Sequence, residues 1–270
     1  MRAENTKAME TREQALRALI QTEWEDKSAI VQACAPSVRV DAERSFMEPA
    51  GIPGRPGRVQ LVEPVALAHR SVHTIEGRAG LIHALAHIEF NAINLALDIV
   101  WRFSGMPEAF YRDWMQVARE ESMHFGMLSQ HLETLGYRYG DFPAHDGLWE
   151  MAMRTQEDLL ARLALVPRTL EARGLDASPL IRHKLASAGD KPGAAILDVI
   201  LKDEIGHVAI GNRWFRWLCE QKQDNPHDAY ERLARSYCAP KLKGPFNVKA
   251  RLEAGFDQVE IERLSSAIHA

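Results

Sequence analysis

The chain is 270 residues long, 46% hydrophobic and 26% charged, proportions of a globular protein with room for one large domain or two modest ones. A net charge of −4 and a pI near 6.3 exclude a global pull towards nucleic acid or an anionic membrane. The three cysteines, Cys34, Cys219 and Cys238, lie far apart without a C-x-x-C, which excludes a disulfide framework and a thiolate zinc site and fits a reducing cytoplasm.

The opening stretch MRAENTKAMETREQAL is charged and lacks the apolar centre of a signal peptide, and no run approaches 18 apolar residues, so a soluble cytoplasmic protein is expected. Residues 9–34 show near-helical spacing of Leu16, Leu19, Ile20, Trp24, Ile30 and Val31 and predict one helix ending before Pro36. The run from 36 to 64 holds five prolines and three glycines, which predicts an extended arm or crossing loop; GRPGR gives it a local positive patch.

A helix follows over about 72–103, with Ile82, Leu85, Ala86, Ile93, Ala96, Leu97 and Val100 on one stripe and Glu89 within that stripe. The next runs over about 107–135, with Trp114, Val117, Ala118, Phe125, Leu128, Leu132 and Leu135 on one face, Glu121 among them, and Gly136 as its stop. After YRYGDFPAHDG a third helix is expected over 147–173, kinked at Pro167, with Glu171 one turn beyond. GLDASPLIRHKLASAGDKPG reads as a linker. A fourth long helix spans about 192–222, Asp190 a candidate cap, with Glu204 on its apolar side among Ile196, Leu197, Ile200, Leu201, Val208, Phe215 and Leu218. Helices near 226–236 and 248–268 complete an all-α chain.

Each of the four long helices thus carries one glutamate on an apolar stripe: Glu89, Glu121, Glu171 and Glu204. Two of them belong to the chain's two Glu-x-x-His spacings, Glu121–His124 and Glu204–His207. That spacing alone is weak, since 23 Glu and 11 His in 270 residues give about one match by chance. Context carries the inference. Carboxylates facing one another in an apolar interior repel unless protonated or bridged by cations. Glutamate and histidine at i and i+3 reach the same point from one helix. Four Glu and two His would set four negative charges against two divalent ions, a ligand set suited to a dimetal site inside a helical bundle.

With HALAHIEFNAINLALD, AREESMHFGMLSQHLETLGYRYGDFPAHDGLWE, RTLEARGLD and LKDEIGHVAIGNRWF in view, the chain resembles the ferritin-like superfamily, and within it a bacterial ferritin-like family of unknown function, over about residues 65–218. The resemblance implies a single domain over 1–270: a ferritin-like four-helix bundle at about 65–222, an extra N-terminal helix and Pro-rich arm at 1–64, and C-terminal helices at 223–270. It also implies two metal ions, iron above all with manganese or a mixed pair as alternatives. Glu121 and Glu204 would bridge, Glu89 and Glu171 would be terminal carboxylates, and His124 and His207 would be the nitrogen ligands.

Glu120 and Asp203, one residue before their ligands, are candidates to hydrogen-bond a ligand histidine or to be plain surface charge. His83 and His87 form H-x-x-x-H off the Glu89 stripe and read as structural or surface residues, since Ala84 stands where a zincin needs glutamate. Tyr137, Tyr139 and His145 line either a substrate entrance or a packed connection. Gly126, Gly206 and Gly211 either open space near the ions or admit close packing. Lys241, Lys243, Lys249 and Arg251, with Arg55 and Arg58, are either an anion-gathering patch or dispersed surface charge. The functional expectation is an oxygen-activating oxidoreductase taking a small-molecule substrate, dioxygen and electrons from an external donor, with no membrane partner and a homo-oligomer admitted; the catalytic residues stay unassigned. The alternatives are a ferroxidase-like iron binder without organic substrate, a tRNA-modifying hydroxylase, against which the acidic balance speaks, and a metal-free helical interaction module, which would pair the carboxylates with Arg or Lys.

Overall fold

In the computed structural model, which describes residues 9–68 and 70–266, the regular elements are helical. Among the described residues no strand forms, and a single parallel bridge joins Leu61 to Ala144. Two compact units divide the chain: Met1–Gly57 with Ala92–Ser122, and Arg58–Asn91 with Met123–Ala270. The division falls inside two unbroken helices, α3 (Ile75–Arg102) and α4 (Glu108–Thr134).

In the first unit the single N-terminal helix expected over 9–34 is two, α1 (Thr11–Leu19) and α2 (Trp24–Ala33). The reason lies in the backbone acceptors. In a continuous helix the carbonyls of Ala18 and Leu19 would accept from residues 22 and 23. Here Lys27 Nζ takes both, at 3.0 Å each, and Gly54 N–H donates to Leu19 O at 2.8 Å. Ile20, counted into the apolar stripe, is 45% exposed at that break. Arg12 is fully buried. Its guanidinium donates to Val100 O and Trp101 O at the end of α3 and to the carbonyls of Asp41, Ala42 and Arg44. A cation at a helix C-terminus is favoured by the exposed carbonyl dipoles, and here it pins the start of the Pro-rich arm to α1 and α3.

In the second unit the expected helix over 147–173 is broken up. It comprises α5 (Gly147–Arg154), α6 (Leu159–Leu165) and a π-helical turn (Val166–Glu171) that runs on into α7 (Ala172–Ser187). Asp158 caps α6 by accepting from Ala161 N–H, which ends the preceding helix and starts a new one. Pro167, which has no N–H, answers the kink expectation by widening the helix, and Thr169 Oγ1 donates to Ala164 O five residues back. The stretch read as a linker is helical to Ser187. Its face of Ala172, Leu175, Ser178 and Leu185 is buried and packs on α8 (Lys191–Gln221), which overrides the poor propensity of Gly174 and Pro179.

Asp190 caps α8 as expected, accepting from Gly193 N–H, with Pro192 in the first turn. Gly136 ends α4 in the left-handed region at φ +83°. Gly211 of α8 faces Pro167 so closely that a Cβ there would lie 2.6 Å from the proline Cβ; close packing is the role of this glycine. α9 (Pro226–Ser236) follows as expected. The last helix is split into α10 (Val248–Glu253) and α11 (Gln258–Ser266) by Gly255 at φ +86°; residues 267 and 268 of that expectation lie outside the described residues. Ala250, Ala254, Phe256 and Ile261 from this region join Ala172, Leu175 and Val208 in one buried cluster. Arg251, counted as surface charge, is fully buried and paired with Asp176 at 2.6 Å. Arg168 is likewise buried, held by Asn212 and by Glu260 of α11.

Candidate metal centre

α8 turns Leu197, Ile200, Glu204, His207, Val208, Gly211 and Phe215 inward, so two polar groups are carried into the interior by an otherwise apolar face. α4 does the same with Glu121 and His124, and α3 with Glu89; all five are buried. Burying such groups is costly unless they meet partners.

His124 Nδ1 lies 3.4 Å from Glu89 Oε2. On the far side of the ring, His124 Nε2 lies 3.1 Å from Asp203 Oδ2. Both ring nitrogens of His124 thus face a carboxylate, which when ionised can only accept, and a neutral imidazole has one N–H to give. Of the two roles open to Asp203, hydrogen bonding to a candidate histidine is the one found, across from α8 to α4. Glu120 accepts from Gln116 Nε2. His207 Nδ1 lies 3.2 Å from Glu204 Oε2, and the two imidazole rings are 5.8 Å apart between centroids.

Two groups of three potential ligand atoms form, each with its atoms within 4.8 Å of one another: Glu89, Glu121 and His124, and Glu121, Glu204 and His207. Glu121 belongs to both, one turn before His124 in the same unbroken helix. Glu171 belongs to neither. It is half-buried at the end of the π-helical turn, and Gly174, one turn on, faces Glu204, whose Oε1 would lie 3.6 Å from a Cβ placed there. The residues that follow two of these groups, Phe90 and Phe125, meet edge to face at 5.4 Å, with the Tyr139 ring against both.

A third acidic group, not singled out in the sequence, is half-buried His227, Asp257 and Glu260. Glu260 is already engaged by Arg168 and by Arg216 at 3.0 Å. Burial works to raise the pKa of Asp257, but hydrogen bonds from the Glu260 N–H and from His227, with the nearby charges of His227 and Arg216, hold it below the usual carboxylate range. Cations of the chain itself therefore balance this cluster.

His83 and His87 are structural. Gly140 N–H donates to His83 Nε2 at 2.9 Å, and His83 stacks on Tyr139 at 5.2 Å. Burial pushes the His83 pKa down to about 4, against a small opposing pull from Asp141. His87 bonds Tyr139 Oη at 2.8 Å through Nδ1 and the His145 carbonyl at 3.1 Å through Nε2. Tyr139 is buried in this packed connection, whereas His145, offered by the sequence as part of an entrance or of a packed connection, lines a cavity of about 380 Å³. Gly206 has open space around it and makes no room at the centre. The three cysteines are free, and no described helix is long and apolar enough to cross a membrane.

Over residues 5–262 the chain matches the family described as a protein of unknown function, DUF455. It is 50% identical over 214 residues to an uncharacterized protein of Haemophilus influenzae, an alignment covering 77% of this chain and 74% of that one. No solved structure matches. With a match of that extent, the chain belongs to the DUF455 family.

Proposed function

We propose that the chain is a dimetal carboxylate protein of ferritin-like type. In this reading it forms one domain in which α3, α4, the helical run from 159 to 187 and α8 make the bundle. Glu89, Glu121, His124, Glu204 and His207 hold two ions, and Glu171 supplies the sixth ligand. The observation that carries the reading is Glu121's membership of two separate three-donor groups, which is the position a carboxylate bridging two ions would occupy. Four glutamates balance two divalent charges, and the mixture of carboxylate oxygen and imidazole nitrogen suits iron, or manganese, rather than zinc or calcium. The buried guanidiniums of Arg168 and Arg251 are paired with Glu260 and Asp176.

When bound, a pair of such ions would activate dioxygen to oxidise an organic substrate, with electrons from an external donor. The chain's own part is positioning. With an ion at Nδ1, Asp203 would accept the Nε2 proton of His124 at 3.1 Å and so hold the ring in the ligating tautomer. The edge-to-face contact of Phe90 with Phe125, backed by Tyr139, packs α3 on α4 and keeps water from that side.

Metal analysis of protein made under iron-replete, reducing conditions, followed by its optical spectrum on exposure to oxygen, tests the reading. Two ions per chain are expected, and Glu204→Ala and His207→Ala each abolish paired loading while helical circular dichroism persists. Asp203→Asn weakens metal affinity about 10- to 100-fold, the usual effect of losing a partner behind a ligand. Fewer than one ion per wild-type chain, or paired loading that survives both α8 substitutions, refutes it.

A further inference from the structure

The second unit contains a cavity of about 380 Å³ between α3, the connection after α4 and the end of α7. Its volume lies in the range of roughly 300–1,000 Å³ typical of small-molecule sites and is too small to take a partner helix. Most of the wall is apolar: Ala84 and Ile88 from α3, Phe142 and Leu148 from the connection, Ile181 from α7.

The charge around it is one-sided. The ionised side chains on the wall are Arg70 and Lys184, and no aspartate or glutamate lines it. Arg70 lies over the Phe142 ring, 5.1 Å from its centroid, and Glu76 engages only its Nε, at 3.1 Å. Among the described residues the two terminal guanidinium nitrogens therefore remain for another acceptor. Lys184 is exposed and has no carboxylate within salt-bridge distance among the described residues. At the buried end His87 has both ring nitrogens engaged, by Tyr139 and by the His145 carbonyl. His87 is thus part of the wall and is not placed to act as a base, so the cavity is built to hold a molecule rather than to transform one.

We propose that this cavity is a binding site for a small amphipathic anion, a molecule with an apolar body and one carboxylate end. The body lies against Ala84, Ile88, Phe142 and Ile181, and the carboxylate meets Arg70 and Lys184 at the rim. Such a head group gains charge-assisted hydrogen bonds from the guanidinium fork, while the tail leaves water. The site stands apart from the metal centre and does not depend on what that centre holds.

Isothermal titration calorimetry of the full chain with octanoate is the test, with octylammonium as a probe of equal size and opposite charge. Octanoate is expected to bind saturably at one site per chain and octylammonium to show no saturable binding. Lys184→Glu, at an exposed position, weakens octanoate at least tenfold. Ala84→Trp, exposed on α3, fills the cavity and abolishes binding. Absence of saturable octanoate binding by the wild-type chain, or binding of octylammonium as tight as that of octanoate, overturns the proposal. So does a Lys184→Glu chain that binds octanoate like the wild type, whatever the outcome with Ala84→Trp.

Discussion

Lowering the pH from 7.5 to 4.5 isolates the energetic role of His83. The imidazole is fully buried against Tyr139 and Phe142, and its Nε2 accepts from the Gly140 N–H. Protonation would bring a charge into an aromatic cage and set N–H against N–H, so the folded state resists it and the pKa falls from 6.5 to about 4. The unfolded chain binds this proton at higher pH than the folded one. Its contribution is therefore complete above pH 6.5 and is lost as the pH falls through the window from 6.5 to 4. That window corresponds to about 3 kcal/mol, of which about 2.5 kcal/mol is gone by pH 4.5. Urea unfolding of the wild type and of His83→Gln at both pH values measures it. The glutamine carbonyl still accepts from Gly140 but does not titrate. The stability gap between the two proteins should shrink by about 2 to 3 kcal/mol on going to pH 4.5. Parallel losses in the two proteins would show that His83 does not carry this pH dependence, as would a carbon-detected titration in which its imidazole protonates near pH 6.

Lys27 should give a pH signature of the same sign in a higher window. Burial, with Arg55 nearby, lowers its pKa from 10.5 to about 7, so stability should climb as the pH rises from 7 towards 10.5, and Lys27→Met should flatten that climb in the same urea series. Gly211→Ala forces a Cβ to 2.6 Å from Pro167 Cβ and 2.9 Å from its Cγ. The gain of about 1 kcal/mol in helix propensity is outweighed by overpacking costs of roughly 1–3 kcal/mol, so calorimetry should find a lowered Tm; a raised one contradicts the tight α8 contact.

Much of this architecture is legible locally. The stripes of Ile82 to Val100 and of Val117 to Leu132 are buried as their spacing requires, and the stop at Gly136 and the cap at Asp190 follow from single residues. The i and i+3 pairs of the candidate centre were readable because one helix presents both members. What escaped depends on residues distant in sequence. The break after Leu19 needs Lys27 and Gly54 to take its carbonyls. Gly174 and Pro179 argue for a linker until α8 offers a face to pack on. The cavity draws its wall from separate segments, of which only the one carrying His145 was read as a candidate entrance; its partners on α3 and α7 meet it only in the fold. Gly255 is a different case: at φ +86° it ends α10, and a lone glycine before Phe256 is a stop signal that can be read locally.

The buried guanidinium of Arg168, in the π-helical turn, finds its counter-ion in Glu260, 92 residues further on. A cation enclosed without that partner would cost several kcal/mol. During synthesis, the turn that leads to Glu171 must therefore wait, loosely formed, until residue 260 has left the ribosome. The middle of this protein is finished by its far end.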